Sequence, residues 1–243
     1  INNSYRQLKQ KNKELKKLDE FRSNLVDTVS HEFITPLTSI KGYTSRLLRQ
    51  DIEIDEATKQ KSLKVIKSQS ERLSRMVEDL LVIPDIEGAK LNLNIEPVNI
   101  TDLINDSLIS VKNKEQHELF VEIPDDFPPV MADKDRLEQI MINLIENANK
   151  YAYEDSDIKV SVQKEGSKAV ITVENNADYI SHEVLNKLFG KFIRIDDKTT
   201  RTTRGTGLGL FIVKGLVLAM NGHIELKSTE DNKFYAIVKF PLA

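Results

Sequence analysis

The chain has 243 residues, of which 35 are basic and 38 acidic, so its formal net charge at pH 7 is only −3. Such a balanced charge excludes a broad attractive field for nucleic acid, and we expect no nucleic-acid partner. The sequence has no cysteine, which excludes disulfides and thiolate metal sites. Hydrophobic residues make up 40% of the chain, enough for buried cores, and the length favours two domains.

The first residue and the apolar runs of the sequence indicate whether the chain is a fragment and whether it crosses a membrane. The chain begins at Ile1 rather than Met, inside a helical pattern rich in Lys and Glu, which suggests a fragment of a longer protein. No apolar run approaches the roughly 20 residues needed to cross a bilayer, and there is no signal peptide. We therefore expect a soluble chain that meets a membrane only through regions absent from it. The four histidines lack metal-ligand spacing, so we expect no protein-built metal site.

The N-terminal third has the periodicity of two helices. From Ser4 to Gln50, apolar residues form a coiled-coil-like stripe, which comprises Leu8, Leu15, Leu18, Leu25, Val26, Phe33, Ile40 and Leu47. Residues 51–55 have the composition of a turn, and Glu56 to Val82 resumes the helical pattern. One hairpin cannot bury both apolar stripes by itself, so the pattern predicts a four-helix bundle formed by a homodimer. A helical stalk without chemistry would have the same periodicity.

Beyond the hairpin the periodicity changes, and Pro84, Gly88 and Pro97 mark the change. We place the domain boundary near residues 83–91. Alternating apolar segments predict strands at 91–95, 119–123, 158–163, 169–173, 223–227 and 234–240. Helical patterns lie between them at 100–112, 134–151, 182–188 and 208–220. This order predicts an α/β sandwich, one mixed sheet covered by a helical layer.

The segment SHEFITPL, residues 30–37, carries the chemistry of the hairpin. His31 falls on the opposite side of the helix from Phe33, at about 100° per residue, and is expected to face water, with Thr35 on the same face. Pro36 removes a helix hydrogen bond at a cost of about 3 kcal/mol, which suggests that the distortion has a use. A neutral imidazole can attack a phosphoryl group, and Glu32 can accept the proton of the other ring nitrogen.

Two further segments have the composition of a nucleotide site. Asn143 and Asn147 lie one turn apart on a predicted helix with Lys150 one turn onward, a set that can ligate Mg²⁺ and the phosphates of ATP. Taken alone, they would equally be solvated side chains on a surface helix. The segment RGTGLGL, residues 204–210, opens another helix, where glycines let the backbone approach phosphate. A glycine pattern of this kind is weak evidence by itself.

Together with LFGKFIR, residues 188–194, these segments resemble the H-box, N-box, F-box and G2 box of sensor histidine kinases of two-component systems, and the resemblance runs from Leu18 to Phe240. It implies a multidomain α plus α/β chain: a helical-hairpin dimerisation domain that forms a four-helix bundle in the dimer, followed by an α/β sandwich of the Bergerat or GHKL type that binds ATP. The implied boundaries are a coiled-coil signalling helix at 1–17, the dimerisation and histidine phosphotransfer domain at 18–83, a linker at 84–91 and the ATP-binding domain at 92–243.

The resemblance also implies roles for single residues. ATP would phosphorylate His31, Glu32 would be the base, and Thr35 would orient a water that dephosphorylates a response regulator. Asn147 would be the principal ligand of Mg²⁺, Asn143 and Lys150 would contact phosphate, and Tyr151 would pack near the adenine. The remaining nucleotide contacts would come from Arg194 in the F-box and from the G2 box, Gly205, Thr206, Gly207, Leu208, Gly209 and Leu210, with residues 195–203 as a lid.

The resemblance implies ATP and Mg²⁺ as cofactors, and a second copy of the chain and the receiver domain of a response regulator as partners. It further implies that the chain is the cytoplasmic portion of a sensor kinase, anchored in the membrane, if at all, by other regions.

The G1 box departs from the family pattern V-x-D-x-G-x-G-I, because residues 173–180 read VENNADYI. Asn175 can accept a hydrogen bond from adenine, as the usual Asp does, but without its charge. Ala177 and Tyr179 replace glycines and enter positive φ less readily. Ile180 is retained. We predict weaker ATP binding than in a kinase with an intact G1 box.

Two alternatives to an active kinase remain. The altered G1 box suits a pseudokinase that keeps the fold and docks a response regulator as a phosphatase or scaffold. The second alternative is a GHKL ATPase of the gyrase or chaperone type, or a serine-directed kinase. His31 and Glu32, followed by Thr35 and Pro36 on a dimerising hairpin, argue against this second alternative.

Overall fold

The computed structural model describes residues 11, 29–49, 54–111, 117–193 and 206–243. Two compact units divide the chain between Leu80 and Leu81. The predicted signalling helix at 1–17, apart from Lys11, and the stripe residues up to Val26 lie outside the described residues. So do residues 51–53 of the predicted turn.

The first unit is the predicted helical hairpin. Helix α1 covers residues 29–47, and α2 covers Glu56–Glu87. Asp55 caps the start of α2, where its Oδ1 accepts from the Thr58 backbone N–H at 2.8 Å and its Oδ2 from the Thr58 hydroxyl at 2.7 Å. The hydrogen bond from the Thr58 hydroxyl and, to a smaller extent, the one from its N–H lower the pKa of Asp55. The cap therefore stabilises α2 at pH values above the usual pKa of an aspartate. This stabilisation is lost as the pH falls through the lowered pKa of Asp55.

Helix α2 extends five residues beyond the predicted end at Val82, because Pro84 lies inside it without ending it. Proline lacks the N–H of a helix residue, but its carbonyl still accepts, and the Gly88 N–H donates to the Pro84 oxygen at 2.9 Å. The helix then ends at Gly88 and Ala89, where Ala89 has a φ of +48°. Four residues of the predicted linker are thus helical.

The second unit is an α/β sandwich, as predicted from the order of strands and helices. Its elements are β1 (Glu96–Val98), α3 (Ile100–Val111), β2 (Leu119–Glu122), β3 (Val130–Ala132), α4 (Lys134–Tyr151), β4 (Ile158–Glu165), β5 (Lys168–Asn176), α5 (His182–Lys187), α6 (Gly209–Ala219), β6 (His223–Ser228) and β7 (Lys233–Pro241). The main sheet has the order β2-β4-β5-β7-β6, with only the β2–β4 pair parallel, and β1 pairs with β3 in a separate antiparallel ribbon.

The core lies between the main sheet and helices α4 and α6. Every second residue of β5 is buried, from Ala169 through Ile171 and Val173 to Asn175, and α4 packs against this strand. Helix α4 in turn buries Leu137, Ile140, Met141, Leu144, Ile145 and Ala148. Asn175 is therefore a polar residue at the end of an apolar row that faces the helices.

The strand predicted at 91–95 is absent from this described part of the chain, and β1 begins one residue later. The backbone there is bonded to a side chain instead of a neighbouring strand, since the Asn94 N–H donates to Asp133 Oδ2 at 2.9 Å. Strands β1 and β3 have three residues each, too few for an alternating pattern to be recognised.

The last turn of α2 packs on α6 within the second unit, where Ile86 lies against Gly215. A Cβ atom on Gly215 would lie 2.9 Å from Ile86 Cδ1 and closer still to its Cγ2. Gly215→Ala is therefore expected to lower the free energy of unfolding by about 1–3 kcal/mol, because a packed neighbour must move. Gly42→Ala on α1, with nothing within 4 Å, is the control and is expected to be neutral or stabilising. Urea denaturation measures both, and equal stability of the two variants would contradict the prediction.

Candidate functional site

His31 is exposed on α1, as its position opposite the apolar stripe predicts. The hydroxyl of Thr35, one turn later, donates to the His31 backbone oxygen at 3.4 Å. Pro36 is buried within the continuing helix. The imidazole is thus accessible to a reactant from solvent, and Thr35 lies on the same stretch of helix surface.

Glu32 differs from its neighbour because it is buried, with 9% of its surface exposed. Its Oε2 accepts from Nη2 of Arg72 on α2 at 2.9 Å. Adjacent helix residues point about 100° apart, which places the carboxylate against α2 while the imidazole faces water. The sequence gives no indication of this pairing, which joins residues on two helices.

In the second unit, the two predicted carboxamides of α4 converge on the start of α6. A Cβ atom on Gly209 would lie 3.0 Å from Asn143 Oδ1 and 3.9 Å from Asn147 Nδ2. The Asn143 amide donates to the Gln139 carbonyl at 3.1 Å, which orients its oxygen. The helix N-terminus presents backbone N–H groups here, and glycine leaves room between it and the carboxamides.

Phe192 and Gly207, which lie on either side of residues 194–205 in the sequence, are hydrogen-bonded to each other. The Phe192 N–H donates to the Gly207 oxygen at 3.0 Å. Gly207 has a φ of +70°, and a Cβ atom there would lie 2.9 Å from Phe192 Cα, so only glycine fits. Leu208 is buried, and Thr206 and Leu210 are half-buried. Arg194 and Gly205, two further predicted contacts, lie outside the described residues.

Lys150 and Tyr151, at the end of α4, interact with each other. The Lys150 ammonium donates to the Tyr151 hydroxyl at 2.8 Å and lies 4.5 Å from the centroid of its ring. This pair lies in the last turn of the helix that carries the two carboxamides.

Asn175 is 2% exposed, and its amide nitrogen is a buried side-chain atom without a hydrogen-bond partner among the described residues. A buried donor of this kind is costly unless a ligand satisfies it. The loop that follows does not use positive φ at Ala177 or Tyr179; the described non-glycine residues with positive φ lie elsewhere. Ala177 and Tyr179, which replace the glycines of the family pattern, therefore cause no backbone strain in this loop. The weaker ATP binding expected from the altered G1 box stays a prediction.

Several hydrogen bonds that the sequence did not suggest hold this loop. The Tyr153 hydroxyl donates to Asp178 Oδ1 at 2.6 Å, and its N–H donates to the Asn176 oxygen at 2.9 Å. The hydrogen bond to Asp178 raises the pKa of the Tyr153 hydroxyl. The Ile180 N–H donates to Ser228 Oγ at 2.9 Å. In the sequence, the only sign of this arrangement is Asp178, an acidic residue inside the altered G1 box.

The residues present fit a nucleotide that brings its own metal. Among the described residues, no group of three or more His, Asp or Glu side chains could hold a metal ion. Mg²⁺ in nucleotide sites is bound by one or two protein oxygens together with phosphates, which carboxamides on α4 can supply. The unpartnered Asn175 amide and the space at Gly209 fit a base and a phosphate chain.

Comparison with known proteins identifies two domains in this order. Residues 21–89 match the His Kinase A (phospho-acceptor) domain, and residues 132–243 match the histidine kinase-, DNA gyrase B- and HSP90-like ATPase family. The sensor protein KdpD of Clostridium acetobutylicum is 31% identical over 208 residues, which are 85% of this chain and 23% of KdpD. The chain therefore spans less than a quarter of the length of KdpD.

Solved structures agree with these matches. The Acinetobacter baumannii histidine kinase AdeS superposes with a TM-score of 0.62 at 25% identity, over 87% of this chain and 98% of that one. Histidine kinase ThkA in complex with the response regulator TrrA superposes with a TM-score of 0.58 at 25% identity, over 96% of this chain and 66% of ThkA. Within the described residues, no helix is long and apolar enough to cross a membrane. Because a phospho-acceptor helical hairpin precedes an ATPase domain along one chain, the protein belongs to the sensor histidine kinases of two-component systems.

Proposed function

We propose that this chain transfers the γ-phosphate of ATP to His31 and then to an aspartate of a response regulator. The observation that carries the proposal is the exposed imidazole of His31 inside the matched phospho-acceptor domain. The ATPase domain match supports ATP as the phosphate donor. The function rests on both domains, since neither a water-facing histidine nor a nucleotide pocket is sufficient alone.

In the proposed reaction a neutral ring nitrogen of His31 attacks the γ-phosphorus of ATP. A nitrogen–phosphorus bond forms, the bond from phosphorus to the β–γ bridging oxygen breaks, and ADP leaves. Glu32 accepts the proton from the other ring nitrogen. Attack requires a separation of about 3–3.5 Å, so the ATP-binding domain must bring its nucleotide to the helix. We place the hinge for this motion near Pro84, where α2 lacks the hydrogen bond that a backbone N–H would donate.

The nucleotide contacts that we propose follow the arrangement on α4 and α6. Mg²⁺ would neutralise charge on the β- and γ-phosphates. Asn147 would bind that ion, Asn143 and Lys150 would contact phosphate, and Asn175 would meet the adenine beside Tyr151 and Ile180. The phosphate chain would lie at the N-terminus of α6, along Gly205, Thr206, Gly207, Leu208, Gly209 and Leu210, with Arg194 at the γ-phosphate.

We further propose that residues 18–83 form the dimerisation and phosphotransfer domain of a homodimer, and residues 92–243 the ATP-binding domain. On the described hairpin, apolar side chains remain exposed at Ile34 (58%), Leu37 (52%), Leu63 (44%) and Val77 (43%). These side chains can be buried by a second hairpin in a four-helix bundle. The ThkA–TrrA complex supports a response regulator as the other partner.

The proposed kinase activity is tested by incubating the purified chain with γ-labelled ATP and Mg²⁺. Phosphohistidine is labile in acid and stable in alkali, so the expected label is lost in acid. A pseudokinase would take up no label while still binding a receiver domain. An ATPase of the gyrase or chaperone type would release phosphate without any labelled protein.

Thr35→Ala is expected to leave autophosphorylation within about twofold of the wild type and to slow dephosphorylation of the response regulator about tenfold or more. The reason is that Thr35 lies one turn after His31, and its hydroxyl donates to the His31 carbonyl at 3.4 Å, which leaves its oxygen lone pairs to orient a water. Rates are measured with a receiver domain that this chain phosphorylates.

Thr38→Ala is the matched control for this variant, because its hydroxyl donates to the Ile34 carbonyl at 2.7 Å in the same manner one turn away. Thr38→Ala is expected to retain both rates. Equal loss of both activities in Thr35→Ala would remove the assigned role.

A further inference from the structure

One ion pair of the hairpin joins its two helices. Arg72 on α2 and Glu32 on α1 are 40 residues apart in sequence, with Nη2 and Oε2 2.9 Å apart. Their side chains are 26% and 11% exposed. By contrast, Lys67 and Glu71 form a pair along α2, with side chains 80% and 58% exposed. The interhelical pair is thus shielded from water, whereas the pair along α2 is not.

Shielding changes what the arginine does for the carboxylate. A carboxylate taken out of water is strongly destabilised unless a cation and hydrogen bonds compensate it. The planar guanidinium supplies both and fixes direction as well as charge, which a flexible ammonium does less well. Arg72 therefore offsets the cost of burying the Glu32 carboxylate and limits the positions that this carboxylate can take.

The location of Glu32 makes this constraint relevant to chemistry. It immediately follows His31, and Pro36 has no N–H to donate to the Glu32 carbonyl, so the backbone at Glu32 lacks one helix hydrogen bond. Arg72 is the partner that the structure provides from α2.

We propose that Arg72 is a positioning residue for autophosphorylation: its hydrogen bond to Glu32 Oε2 limits the orientations of the carboxylate next to His31, so that Glu32 accepts the imidazole proton as the nitrogen–phosphorus bond forms. This inference rests on the proposed function and adds to it a residue on the second helix. The proton passes from the ring nitrogen to the carboxylate, and Arg72 remains protonated throughout.

The test measures autophosphorylation rates of the full chain over a range of MgATP concentrations. The variants are Arg72→Gln, Glu32→Gln, the double variant, Arg72→Lys and the control Lys67→Gln, which breaks the exposed pair on the same helix. We expect Arg72→Gln to lower kcat about tenfold or more with the KM for ATP within about twofold, and Lys67→Gln to match the wild type. The double variant is expected to be no slower than Glu32→Gln alone, because Arg72 acts through Glu32.

A role for Arg72 that does not act through Glu32 would make the two losses multiply in the double variant, which would overturn the inference. A kcat for Arg72→Gln equal to or above that of the wild type would overturn it too. Arg72→Lys keeps the charge and the hairpin, so it covers the case in which Arg72→Gln fails to fold: partial kcat at normal KM supports the inference, and a kcat as low as that of Glu32→Gln overturns it. Absence of label in the wild type would instead refute the proposed function itself.

Discussion

His31→Gln is expected to abolish phosphorylation of the chain by ATP, with a loss of more than about 1,000-fold in the rate of label incorporation. Glutamine is similar in length and polarity, but its amide nitrogen is not a nucleophile, whereas a neutral imidazole nitrogen is. Because His31 is exposed and its side chain supports no core contact, the variant is expected to keep the fold and the stability of the hairpin.

The measurement is the acid-labile label on each protein after incubation with MgATP. His223→Gln is the matched control, since His223 is also exposed but lies at the start of β6 in the other unit. The control is expected to label like the wild type. Nucleotide affinity, measured separately, should be unchanged in both variants, so that loss of label in His31→Gln reports the acceptor and not the donor. Label that persists in His31→Gln would place the acceptor elsewhere.

The elements predicted best from the sequence are those whose pattern is local. Helix α4 begins and ends where predicted, because its apolar residues recur regularly and Asp133 caps it by accepting from the Arg136 N–H at 3.1 Å. The strands of the main sheet begin and end within about three residues of their predicted bounds, and buried residues alternate along β4, β5, β6 and β7. His31 was predicted to face water from its angle to Phe33 alone, and the structure agrees.

What the sequence could not reveal depends on contacts between distant segments. The pairing of Glu32 with Arg72 needs the register of two helices, which no local pattern contains. The extension of α2 past Pro84 depends on packing of Ile86 against Gly215, which compensates for the missing N–H. The altered G1 loop looked strained because its glycines are absent, but hydrogen bonds from Tyr153 and to Ser228 hold it in a path without positive φ at Ala177 and Tyr179.

Asn147→Ala is expected to lower the rate of autophosphorylation about 100-fold or more at a fixed concentration of MgATP. The carboxamide lies on the face of α4 that meets the start of α6, where its amide nitrogen would be 3.9 Å from a Cβ atom on Gly209. Among the described residues, no group of three or more His, Asp or Glu side chains could hold the ion instead. Loss of this oxygen would leave the metal held only by the phosphates and water, so the charge on the γ-phosphate would be poorly neutralised during transfer.

Asn149→Ala is the control for this substitution, because it makes the same change on the same helix about 200° around from Asn147. Nucleotide affinity measured with Mg²⁺ and with EDTA distinguishes the proposed role from a packing defect. If Asn147 binds the metal, the wild type should bind ATP more tightly with Mg²⁺ and Asn147→Ala should lose that difference, while both bind alike in EDTA. Equal loss of affinity under both conditions would mean that Asn147 supports the pocket and not the ion. Since the Asn175 amide is independent of the metal, binding without Mg²⁺ would then measure how well the altered G1 loop holds the base.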